Sequence, residues 1–162
     1  FALERSGLLS DEGGTFKEQH SVYNTGVKLR LSEEIENMSI PEKEYVDKTA
    51  SLFLSYLEYG SLKRSIEENR SSGKDRGGYT DEDAKKIMKD YLHNIKDFSD
   101  YVSPNTPSTA VARFLAGFSG TVLPGFADRI AAMRFGLQND EIKKLNGKIG
   151  DILISQRPSN RN

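Results

Sequence analysis

The stretch from Tyr79 to Val102, YTDEDAKKIMKDYLHNIKDFSDYV, constrains the fold more than any other part of the chain. Ala84, Ile87, Met88, Tyr91, Leu92, Ile95, Phe98 and Val102 recur at three- and four-residue steps, the period of one buried helix face. Thr80 suits the N-cap, and Asp83 stands three positions on, the spacing of a capping box. A helix this long and this one-sided needs other helices to cover it.

The rest of the chain supplies them. Pro41 suits the start of a long helix, where its missing N–H is no loss. Val46, Ala50, Phe53 and Leu57 form one stripe on it, and Leu52, Tyr56, Tyr59, Leu62 and Ile66 form a second. Apolar on two sides, this helix is expected at the centre of a bundle. Asn69 to Gly78 should end it. Ala110, Val111, Phe114, Leu115 and Phe118 predict a short helix from Ser108 or Thr109, stopped by Gly120. Pro124 opens another, with Phe126, Ile130 and Met133. Asn139 caps a last helix whose Ile142, Leu145, Ile149 and Ile152 form a narrow apolar seam, with Asn146 and the neighbouring lysines solvated.

The N-terminal region is less regular. Val27, Leu29 and Leu31 alternate after the turn-prone Asn24-Thr25-Gly26, so a short β-hairpin near residues 22–31 competes with a helix running from Val27 to Met38. The expected organisation is a polar extension over 1–24, a helical domain over 25–155 and a polar tail over 156–162. The fold class is mainly α: a single helical-bundle domain of five or six helices. Its 162 residues suffice for one sizeable core. Opening on Phe1, the sequence is read as a piece of a longer protein.

Composition narrows the chemistry. A formal net charge of −1 argues against nucleic-acid binding through general charge. The chain has no cysteine, so disulfides, thiolate nucleophiles and cysteine-ligated zinc are excluded. No compartment follows from that absence; a soluble chain, cytoplasmic or secreted into a host cell, is the expectation. The longest uncharged run, residues 114–127, is shorter than the roughly 18–20 residues of a membrane-spanning helix and reads as a core hairpin. Membrane association through residues 110–136 is the competing reading.

The segment SSGKDRGG, residues 71–78, is the strongest chemical lead. It lacks the earlier glycine of a P-loop and follows a helix instead of a strand. It resembles the active-site loop of bacterial inositol-phosphate phosphatases, C-K-S-G-K-D-R-T-G, at Ser72, Gly73, Lys74, Asp75, Arg76 and Gly78. That resemblance implies phosphate recognition. The position of the family's catalytic cysteine is Arg70 here, so its thiolate chemistry does not carry over. Arg70, Ser72, Lys74 and Arg76 remain candidate anion-binding residues beside a helix N-terminus, on a loop expected to be exposed.

Other leads are weaker. His93, with Asp90 three residues before and Asp97 four after, puts an imidazole and two carboxylates on one helix face, a pattern able to bind metal or act as a base but equally a plain charged face. His20 has only polar neighbours in sequence. No motif implies a cofactor or a metal, and no nucleophile–base arrangement is present. The expectation is therefore a non-enzymatic helical interaction domain with a protein partner, part of a larger protein or assembly such as a bacterial effector or phage component. Ile142, Leu145, Ile149 and Ile152 are the candidate interaction seam, with closure of the intramolecular bundle by the same seam as the competing reading. An anion- or phosphate-binding module or enzyme built on loop 70–78 is the alternative.

Overall fold

The computed structural model describes residues 14–68, 77–102, 105–116 and 139–157. Within them the chain forms five α-helices and no strand: α1 (Phe16–Glu34), α2 (Ile40–Glu68), α3 (Asp81–Val102), α4 (Ser108–Ala116) and α5 (Asn139–Ser155). Loop 69–76, with Arg70, Ser72, Lys74 and Arg76, lies outside the described residues, as does the helix expected from Pro124.

α1 replaces the hairpin expected near residues 22–31 and takes in the second half of the stretch read as an extension. Its start is set by a capping box: the Glu18 N–H donates to Thr15 Oγ1 at 3.1 Å, and the Thr15 N–H donates to Glu18 Oε1 at 3.0 Å. His20, Tyr23, Val27 and Leu31 are buried, a helical three- and four-residue step, whereas Leu29 is 61% exposed. The alternation of Val27, Leu29 and Leu31 is thus incidental. Gly26, read as a turn residue, sits mid-helix where a Cβ would collide with the Gln156 side chain. The tip of the Gln156 side chain occupies that space. A short 3₁₀ turn, Ile35–Asn37, then leads to Ser39, which caps α2 by exchanging bonds with Glu42 at 2.9 and 3.4 Å.

α2 is the spine. It spans 29 residues, about 44 Å at the α-helical rise. It packs against α1, α3 and α5, which is why it buries side chains on more than one face. Tyr45, Leu52 and Phe53 from α2 join Val27, Phe98, Val111, Leu115, Ile142, Ile149 and Leu153 in the main core. Ile142, Leu145, Ile149 and Ile152, the expected seam, are all buried in that core. Asn146, expected in solvent, is buried too, and its Oδ1 accepts from the Tyr45 hydroxyl at 2.5 Å.

α3 starts as the sequence predicts. The Asp83 N–H donates to Thr80 Oγ1, and the Thr80 N–H donates to Asp83 Oδ2, both at 3.0 Å. Ile87, Ile95, Phe98 and Val102 are buried, but Leu92 is 58% exposed, because the buried face is narrower than the apolar pattern. A smaller cluster of Leu62, Tyr79 and Ile87, joined by Phe16 and Tyr59, closes the far end of α2. Tyr59 stacks on Tyr91 there, with ring centroids 4.7 Å apart.

The described end of the glycine-rich loop is docked, contrary to the expected exposure. Gly77 is buried with φ near 60°, and a Cβ there would lie 2.8 Å from Phe16 Cδ2 and Ser65 Cβ. Its carbonyl accepts from the Lys17 N–H at 3.0 Å, and Lys17 Nζ pairs with Asp83 at 2.8 Å. Glycine is required by this wedge between α1 and α2, whatever the preceding residues bind.

Candidate functional site

Two of the cavities beside the α1–α2 contact carry a histidine. The larger, about 460 Å³, lies between the first two turns of α1, the second half of α2 and the turn after α5. Helical spacing puts Phe16, His20 and Tyr23 on one wall, and Leu57, Ser61 and Arg64 on the facing wall. Arg157 enters from the C-terminal turn. Among the described residues no Asp or Glu lines this space.

Its electrostatics are one-sided. Arg64 and Arg157 are exposed at the rim, and neither forms an ion pair with a carboxylate among the described residues. His20 is only 9% exposed and has no hydrogen-bond partner there. Burial pushes its imidazole down to about 4, so the ring is neutral at neutral pH. Its ring centroid lies 5.9 Å from that of Tyr23. Burial also raises the Tyr23 phenol, while the Arg157 guanidinium beside it pulls the other way.

The hydroxyls are oriented by their own bonds. The Tyr23 hydroxyl donates to the Leu153 carbonyl at 2.7 Å, tying α1 to α5 and leaving the phenol oxygen to accept. Ser61 Oγ accepts from the Tyr79 hydroxyl at 2.9 Å, so its own proton remains available to donate. Two guanidinium forks and a hydroxyl donor over walls of Phe16, Tyr23 and Leu57 suit an anionic head on an apolar body.

The smaller cavity, about 230 Å³, lies between α1, α2 and α3 and carries groups of both signs. His93 and Asp90 line it together with Glu58 and Lys28. Asp97, grouped with them by sequence, instead pairs with Lys48 at 2.8 Å, so the expected trio is divided. Asp90 is held by Lys86 at 2.7 Å. Burial, with some help from Asp90, raises the Glu58 carboxyl, and Lys86 and Lys28 oppose this. Among the described residues no three His, Asp or Glu side chains come together as a metal site, and no helix is long and apolar enough to cross a membrane.

Among the described residues, neither cavity is lined by a predicted site residue. Arg70, Ser72, Lys74 and Arg76 lie outside the described residues, and the Ile142–Ile152 seam is core. Sequence reasoning passed over His20, Arg64 and Arg157. The three- and four-residue steps from His20 through Tyr23 and Val27 to Leu31 were the available signal for the histidine. Nothing local marks the arginines, which meet only through the fold. No protein family, curated protein or solved structure matches the chain.

Proposed function

We propose that the chain is a helical domain that binds a small organic anion in the cavity between α1, α2 and the C-terminal turn. The observation carrying this reading is that, among the described residues, two cavity arginines lack carboxylates and a buried histidine lacks a hydrogen bond, in a space no acid lines. An arginine with a nearby acid is explained by that acid; two without one are a ready fork for carboxylate, sulfonate or phosphate. Arg64 and Arg157 thus offer an anion site separate from the one expected at loop 70–78. Calorimetric titration with phenyl phosphate, benzoate and benzenesulfonate tests it. Saturable binding is expected, with at least a tenfold loss in the Arg64→Ala/Arg157→Ala double variant. Heats at the level of dilution for all three compounds defeat the reading.

A second reading, a non-enzymatic domain that engages a protein partner, draws on a different observation. Val22 and Leu29, seven residues apart on one side of α1, are 74% and 61% exposed. Affinity capture with wild-type chain and with a Val22→Asp/Leu29→Asp variant discriminates: a partner retained by the first and lost by the second supports it.

A further inference from the structure

We propose that the cavity takes up its anion together with one proton, carried by the His20 imidazole. The inference rests on the anion-binding reading and adds to it how binding is regulated.

The geometry leads there in three steps. His20 lies on the cavity wall, on the helix turn between Phe16 and Tyr23, and is more than nine-tenths buried. Among the described residues, three charged or titratable groups share the cavity with it. Its own helix contributes the Tyr23 phenol, α2 contributes Arg64, and the C-terminal turn contributes Arg157. Neither the phenol nor a guanidinium loses its proton near neutral pH, and neither guanidinium can accept a bond. A protonated imidazole here has no hydrogen-bond acceptor among the described residues, and burial displaces its pKa downward.

An anion held by the two arginines reverses those terms. It supplies the missing acceptor and cancels the neighbouring positive charge at the same point. The protonated ring then becomes the favoured form, and by linkage the affinity must rise as the pH falls toward the free ring's pKa. Ser61, the other donor on the α2 wall, does not titrate and cannot produce this dependence.

Benzenesulfonate is the appropriate probe because it stays fully ionised throughout, so that any pH dependence belongs to the protein. Calorimetry at pH 7 and pH 5 should give roughly tenfold tighter binding at pH 5, with proton uptake visible as a dependence of the heat on the buffer. The chain has two histidines, so ring proton resonances report directly. The His20 titration should move up by about two units on saturation, the shift that a tenfold change between pH 7 and pH 5 requires, while the exposed His93 serves as the internal reference. His20→Gln should flatten the profile whatever its absolute affinity. Saturable binding with equal affinity at both pH values, or a His20 ring whose titration does not move, overturns the proton coupling and leaves the anion reading standing. No saturable binding at either pH overturns both.

Discussion

The Tyr45 hydroxyl of α2 donates to Asn146 Oδ1 of α5 at 2.5 Å, both residues being buried. One polar bond thus crosses the main core and sets the register of the last helix against the spine. Buried polar pairs are expensive to half-remove. Asn146→Ala, which takes away the acceptor, should lower stability by about 1–3 kcal/mol in urea denaturation. Combining Tyr45→Phe with Asn146→Leu should recover part of that loss, because neither hydroxyl nor amide is then left behind. A double variant as unstable as the sum of the singles would mean that the pair is not energetically coupled.

Val27 and Leu29 distinguish helix from strand in α1. Val27 is fully buried and Leu29 is 61% exposed, although alternation would place both on one strand face. Val27→Ala should destabilise by about 1–3 kcal/mol, and Leu29→Ala should stay within about 0.5 kcal/mol of the parent. Equal losses at the two positions would restore the strand.

Gly77 makes a sharper test of the docked loop end. Its φ near 60° disfavours any side chain, and Phe16 and Ser65 occupy the space of a Cβ. Gly77→Ala should lower stability by roughly 1–3 kcal/mol from backbone strain alone, with further loss from the contact. A thermal midpoint unchanged from the parent would mean that this wedge is not tight.

His20 also gives stability a pH dependence. Its folded-state pKa of about 4 lies below the ordinary 6.5. Above pH 6.5 the ring is neutral in both states and contributes no slope. Between 6.5 and 4 the unfolded chain takes up a proton that the folded chain refuses, so stability falls as the pH falls. Below about pH 4 both states are protonated and the loss is complete. Allowing for solvent screening at the cavity rim, the loss should reach roughly 1–2 kcal/mol. Urea midpoints at pH 7 and pH 5 check this: the parent should lose more than His20→Gln over the interval.

Much of the helical framework was readable because it is local. The Thr80 cap, the acidic first turn of α3 and the spacing of Ile87, Ile95, Phe98 and Val102 need only neighbouring residues to act. The seam of α5 was legible for the same reason, as periodicity that suits closure of the bundle. What failed depended on distant partners. Gly26 looks like a turn until Gln156 is placed against it, and Asn146 looks solvated until Tyr45 arrives. The cavity was the least legible part. His20 sits among polar neighbours in sequence, and Arg64 and Arg157 resemble any surface arginine. Only tertiary packing shows that, among the described residues, no carboxylate lines the cavity they share.

The Tyr23–Leu153 bond joins residues 130 positions apart, and the cavity beside it needs Arg157 as well. A chain emerging from the ribosome builds α1, the spine and α3 early, from contacts close in sequence. That cavity wall is complete only once the turn after α5 packs onto α1. On the anion-binding reading, a chain cut between α5 and Arg157 would keep its helices and lose one of the two proposed anion ligands.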